Sequence, residues 1–171
     1  VNMSKTSKLQ FPGRHGQNLT AYTTEPGNQP PQCWVLFAHC FTCGGRLPAA
    51  TNIAETLADE GFGVFRFDFT GLGESEGDFQ DTDFSSNIED LLAAAEFMDQ
   101  KLLGPSILVG HSLGGAAALL AAGKMPTVRA LATLGAPANP THVTHLFSDS
   151  LEILEKTGKA KISIGGRSFT I

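Results

Sequence analysis

The chain has 171 residues, 42% of them hydrophobic and 17% charged, with a net charge of −5. Those totals fit one globular domain with a sizeable core and exclude a disordered segment. No basic run or basic helical face stands out, and no apolar run reaches the length of a membrane span. Both facts argue against nucleic acid and membrane as partners and point to the cytoplasm. The three cysteines, an odd number, do not suggest a secreted disulfide framework.

Residues 1–8 are polar. Residues 9–11 and 19–23 read as short strands of an antiparallel hairpin with a longish loop. Residues 25–31 form a proline-rich surface connection. The first fully apolar strand, residues 33–38, ends at His39, Cys40, Phe41, Thr42 and Cys43. A helix follows, with Leu47, Ala50, Ile53, Ala54, Leu57 and Ala58 at helical spacing and Gly61 beyond its end.

A strand over residues 64–68 leads into a loop punctuated by Gly71, Gly73 and Gly77. A second helix is expected over residues 84–102, stopped by Gly104 and Pro105. Ile107, Leu108 and Val109 are a buried strand that turns at Ser112, between Gly110 and Gly114, into a helix over residues 116–123. Residues 129–134 are a fourth apolar strand. Residues 143–157 can form a helix, and residues 161–171 a hairpin with a Gly165, Gly166 turn.

Four strands alternating with three helices predict an α/β fold: a mostly parallel open sheet with helices on both faces and right-handed crossovers. Chemistry in such sheets gathers at the carboxyl ends of the strands. His39, the loop after Asp68, Ser112 and Gly135 all fall there. Ser112 lies in a G-x-S-x-G pattern with a strand before it and a helix after it, the context a nucleophilic serine requires. The competing reading is a glycine-rich turn with an ordinary capping serine.

Other residues carry two readings each. His39 could position substrate or be a structural histidine bonded to nearby backbone, and the second is favoured. His111, beside Ser112, could act as the base or pack against the sheet edge, and the second is favoured because adjacent side chains on a sharp turn diverge. Cys40 and Cys43 form a C-x-x-C. They read first as small residues shaping a loop, second as a redox pair, and last as metal ligands, for which no second ligand pair is visible. Asp68, at a strand end, could be the acid of a catalytic triad or an organiser of the loop around Gly71 and Gly73, and the second is favoured. That loop lacks the third glycine of a dinucleotide site. His142 and His145, three apart, read as solvated surface histidines, as a metal pair, or as the source of a substitute base, and the first is favoured. Phe65, Phe67 and Phe69 alternate into the core, with Phe69 able to line a pocket.

Three segments, Phe37 to Phe41, Asp68 to Ser75 and Gly110 to Gly115, resemble the α/β-hydrolase superfamily over roughly residues 9–140. Residues 38–43 and 66–77 further resemble hydrolase domains fused to a domain of the osmotically inducible protein C family. The resemblance implies an esterase-like serine hydrolase acting on a small ester or acyl substrate, with no metal or organic cofactor. It implies Ser112 as the nucleophile and the backbone amides of Phe41 and Leu113 as the oxyanion site. His39, Cys40, Asp68 and His111 would support the loop or the pocket.

Hydrolases of this kind place an acid and then a histidine after the serine. No further buried parallel strand is visible after Leu134. The expectation is therefore a truncated hydrolase: a core over residues 1–140 and the start of a cap over residues 141–171. Hydrolysis would be impaired without a base. A homodimer or swapped segment would complete the sheet. The alternative is a non-catalytic interaction domain serving a partner or a fused redox domain.

Overall fold

The computed structural model describes residues 4–40, 45–138, 156–157, 161–164 and 167–170. Strands β1 (Lys5–Pro12) and β2 (Asn18–Glu25) form an antiparallel hairpin. Strands β3 (Trp34–Ala38), β4 (Gly63–Phe67), β5 (Pro105–His111) and β6 (Ala130–Leu134) run parallel to one another. The sheet has the order β1-β2-β4-β3-β5-β6, with β2 antiparallel to β4. This is an α/β-hydrolase fold.

The hairpin strands run longer than their apolar runs. Lys5 pairs with Glu25 and Thr6 with Thr24, whose hydroxyls lie 3.0 Å apart. Ladder bonds are made by the backbone, so polar residues extend a strand wherever a partner is already aligned.

Helix α1 (Pro48–Asp59) begins with proline, which forfeits no helical bond there. Helix α2 (Phe84–Lys101) begins with a reciprocal cap. Ser86 N–H donates to the Asp83 carboxylate at 2.7 Å, and Asp83 N–H donates to the Ser86 hydroxyl at 2.9 Å. Helix α3 (Leu113–Ala121) starts three residues earlier than its apolar pattern suggests.

Alternation along the strands sorts the core into two layers. Val35, Phe37 and Val64 face α1 through Ala50 and Ala54. Leu36, Phe65, Phe67 and Leu108 face the other way, against Leu91 and Met98 of α2 and Ala117 and Ala118 of α3. Burying side chains of this size stabilises the fold by roughly 1.5–3 kcal/mol each.

All five residues of β6 are exposed, and Leu131 and Leu134 share that surface state with Leu119 and Leu120 of α3. Strands β7 (Lys161–Ile164) and β8 (Arg167–Thr170) pair as the expected hairpin. The helix anticipated over residues 143–157 lies outside the described residues, save 156 and 157, as does the boundary at residue 140. Among the described residues, no helix is long and apolar enough to cross a membrane.

Candidate active site

The parallel strands deliver His39, Asp68, Ser112 and Gly135 to one edge of the sheet, just beyond the ends of β3, β4, β5 and β6. Ser112 has φ 54° and ψ −125°. Among the described residues it is the only non-glycine with positive φ. Its N–H donates to Leu134 O at 2.9 Å, and its carbonyl accepts from Gly115 N at 2.9 Å and Ala116 N at 3.2 Å. The bend is thus tied to β6 on one side and opens α3 on the other.

A capping serine has extended backbone and spends its side-chain oxygen on a helix amide. Ser112 does neither: its side chain makes no capping bond, and the residue is only half-buried. That disposes of the ordinary cap. Leu113 is the first residue of α3, so its N–H has no intrahelical partner and lies at the positive end of the helix.

The bend also depends on close backbone approach. A Cβ on Gly114 would lie 2.3 Å from His39 O and 2.5 Å from Ala38 O, and one on Gly110 would lie 2.5 Å from Gly115 Cα. The end of β3 therefore presses directly on the first turn of α3.

The other sequence candidates divide. His111 ends β5 opposite Leu134 but is exposed, so it does not pack against the sheet edge as expected. The strand ends there, and the turn points its ring outward. Phe69 is fully buried, with its ring 5.3 Å from that of His39 and 4.7 Å from that of Phe67, so it belongs to the core and not to a pocket wall. Phe41, Cys43, His142 and His145 lie outside the described residues.

Cys40 is buried and disulfide-bonded, whereas Cys33 is free. The Cys40 sulfur is then neither a thiol nor a metal ligand. Iodoacetamide is expected to alkylate Cys33 in the folded chain and to spare Cys40 until a reductant is added. Peptide mapping that finds Cys40 alkylated without reductant would contradict this state. Among the described residues, no group of three or more His, Cys, Asp or Glu side chains could hold a metal ion.

His39 and Asp68 form a buried pair, each about 1% exposed. The His39 Nδ1 atom lies 2.6 Å from Cys40 O. A carbonyl only accepts, so this nitrogen carries the proton. The opposite nitrogen, Nε2, lies 3.7 Å from Asp68 Oδ1, too far for a hydrogen bond but close enough for an electrostatic contact. Asp68 accepts from Gly45 N at 2.5 Å and from Glu74 N at 3.0 Å. Burial works against its ionisation, but His39 and the two amides outweigh that and hold the carboxyl below the usual aspartate range.

Sequence reasoning missed Arg66 and Gly45. The buried Arg66 guanidinium donates through Nη1 to Gly45 O and to Thr51 Oγ1, both at 2.9 Å, and through Nη2 to Thr24 Oγ1 at 3.2 Å. Its cation also stands 6.0 Å from the centre of the Tyr22 ring. The available signal was a lone arginine inside an otherwise apolar strand. A charge in that position must find buried partners.

Comparison with known proteins agrees with this architecture. Residues 34–159 match the model of the alpha/beta hydrolase fold family. The esterase domain of a Rhodothermus marinus protein is 41% identical, with a TM-score of 0.73 over 98% of this chain and 65% of that one. The mitochondrial palmitoyl-protein thioesterase ABHD10 of Pongo abelii is 33% identical over 82% of this chain and 44% of its own length. Its mouse counterpart, alpha/beta hydrolase domain-containing protein 10, shares the fold with a TM-score of 0.74 at 24% identity, over 96% of this chain and 66% of that one. The chain thus spans less than half the length of the curated ABHD10 relative and about two-thirds of the solved structures. With its serine bend, sheet order and family match all in agreement, the chain belongs to the alpha/beta hydrolase fold family.

Proposed function

We propose that the chain is a serine hydrolase of the esterase type, acting on a small ester or related acyl substrate. The observation that carries the reading is the backbone of Ser112, held at φ 54° with its side chain uncommitted to the helix. In this mechanism the Ser112 Oγ attacks the substrate carbonyl and gives its proton to a base. The Leu113 amide, with that of Phe41, receives the developing oxyanion. The alcohol leaves with the proton, and water then releases the acid from the acyl-serine. These steps call on no metal or organic cofactor.

Support comes from the 41% identity to a domain described as an esterase and from the thioesterase among the relatives. The segments at residues 38–43 and 66–77 favour kinship with hydrolase domains fused to osmotically inducible protein C family domains. No described residue is assigned as triad acid or base. A serine hydroxyl without a base is a weak nucleophile at neutral pH, so the 171-residue chain is expected to turn over esters poorly by itself.

Imidazole added from solution can stand in for the base. A fluorophosphonate probe is expected to form an adduct at Ser112 at a rate that rises with imidazole, and Ser112→Ala is expected to form none. Intact mass and peptide mapping read the result. Rapid labelling without imidazole would overturn the impairment but keep the nucleophile. No adduct at any imidazole concentration would sink the hydrolase reading. That result would favour an interaction domain instead. One observation leans that way already: among the described residues β6 is an edge strand, beside exposed Leu119, Leu120, Leu131 and Leu134.

A further inference from the structure

Helix α2 carries a buried carboxylate that the hydrolase mechanism does not use. Asp90 is 1% exposed and joins three segments. Its Oδ2 accepts the Thr70 N–H at 2.9 Å, which holds the start of the glycine loop over residues 69–78. Its Oδ1 accepts the Gln17 amide at 3.3 Å, which holds the loop between β1 and β2. The same Gln17 nitrogen donates to the Thr70 hydroxyl at 2.6 Å, so the three residues close a ring.

The ring surrounds a charge with neutral donors. Burial disfavours the ionised form, and the bonds from Thr70 only partly offset it, so the Asp90 carboxyl is held above the usual aspartate range. The charged groups on the three segments do not reverse this. His15 of the β1–β2 loop, when protonated, favours ionisation, but its Nε2 stands 2.8 Å from Glu89 Oε2 on α2, and Glu89 opposes it. Arg14 of the same loop is paired with Glu96 at 2.8 Å, and Asp83 caps α2. The charged residues of the glycine loop, Glu74, Glu76 and Asp78, are all carboxylates.

A proton on Asp90 has an acceptor at hand. Among the described residues, Gln17 Oε1 is buried without a hydrogen bond. Turning the Gln17 amide over brings that oxygen to Asp90 Oδ1, where a carboxyl O–H donates to it. The turn exchanges one unpartnered amide atom for the other and adds none. Water has a route as well. Gln17 and Thr70 line a cleft of about 340 Å³ together with His15, Asp78 and Ser86, so parting those two side chains hydrates Asp90.

We propose that Asp90 is a proton-binding site that gates the glycine loop: with the proton bound, Thr70 is seated on α2, and without it that end of the loop opens more easily to water. The closed loop holds the proton more tightly than the open one. Closure is therefore favoured in acid and weakens as the pH rises from the ordinary aspartate value through the raised one. Asp68, which accepts from Glu74 N at 3.0 Å in the same loop, ionises below the usual range, so its grip persists as the pH rises. The device is independent of the chemistry at Ser112.

The test follows the Asp90 carboxyl by carbon NMR from about pH 3 to about pH 8, with hydrogen-exchange protection at the Thr70 and Glu74 amides. Asp90 is expected to titrate above the ordinary aspartate value. Protection at Thr70 should fall about tenfold for each pH unit by which that midpoint exceeds the ordinary value, and protection at Glu74 should not share the fall. Asp90→Asn keeps an acceptor for Thr70 and offers an N–H to Gln17 Oε1, so it should hold Thr70 at the acid level of protection throughout. His15→Gln, at an exposed position, is the variant to rely on if Asp90→Asn does not fold. It removes a cation that favours ionisation and should move the Asp90 midpoint and the fall in Thr70 protection to higher pH together. An Asp90 midpoint at or below the ordinary value overturns the proposal, as does Thr70 protection that stays level across the titration. The same fall in Asp90→Asn as in wild type, or a midpoint that moves in His15→Gln without the fall in protection, overturns it equally.

Discussion

Gly114→Ala is expected to destabilise the chain by about 3 kcal/mol, the upper end of overpacking penalties, and to lower its thermal midpoint by roughly 6–12 °C. The new methyl would meet His39 O at 2.3 Å, Ala38 O at 2.5 Å and Ala38 C at 2.8 Å. All three are backbone atoms, so no side chain can rotate out of the way. Relief requires α3 to move off the end of β3, which separates Leu113 from the segment that begins at His39. Imidazole-assisted labelling of Ser112 should therefore fall in whatever fraction stays folded. Gly123→Ala is the matched control, since a Cβ there meets nothing within 4 Å. It should be neutral or slightly stabilising, by up to about 1 kcal/mol, because it only narrows the unfolded ensemble. Equal midpoints for the two variants would show that the strand and helix are not in the contact on which the site depends.

The features legible in the sequence were those encoded locally. The run Ile107 to Val109, the glycines around Ser112 and the helical spacing of Leu91, Ala95 and Met98 each report a strand, a turn or a buried face by side-chain type alone. They fixed the sheet, two of the three helices nearly to the residue, and the serine bend. The misses have tertiary causes. Helix α3 begins at Leu113, because the Ser112 carbonyl already accepts from Gly115 and Ala116. The hairpin outruns its apolar residues because backbone pairing continues through Lys5, Thr6 and Ser7. The apolar character of β6 reports what the strand could bury and not what covers it, and here it is exposed.

Around the site the same division holds. Ser112 and Asp68 were visible because a motif and a strand end announce them. The links from Asp68 to Gly45 and from Arg66 to Gly45 join residues more than twenty positions apart. No local pattern encodes them. They become readable only through the cost of burying a charge, which obliges Arg66 and Asp68 to collect several partners each. His111 shows the converse: its place in the motif is legible, but the direction of its ring is set by the bend and not by the residue.

The bend itself stores free energy that substitution at Ser112 should release. A residue with a Cβ held at φ 54° and ψ −125° costs on the order of 1–3 kcal/mol. Ser112→Gly removes that cost but gives the unfolded chain more freedom, worth about 0.4–1 kcal/mol in the opposite direction. The net expectation is a gain of about 1 kcal/mol and a midpoint raised by roughly 2–4 °C. Ser112→Ala keeps the Cβ and so keeps the strain; its midpoint should match wild type within about 0.5 kcal/mol, the usual span for a benign change. Both variants should lose the fluorophosphonate adduct entirely. Alanine thus isolates the hydroxyl and glycine isolates the backbone. If glycine proves no more stable than alanine, the positive φ costs nothing here. A selective pressure for function would then no longer be needed to explain why a side-chain-bearing residue occupies a conformation that glycine would fill more cheaply. If glycine is the more stable, the fold gives up stability to hold one hydroxyl clear of its own helix, as a nucleophile requires and a structural serine does not.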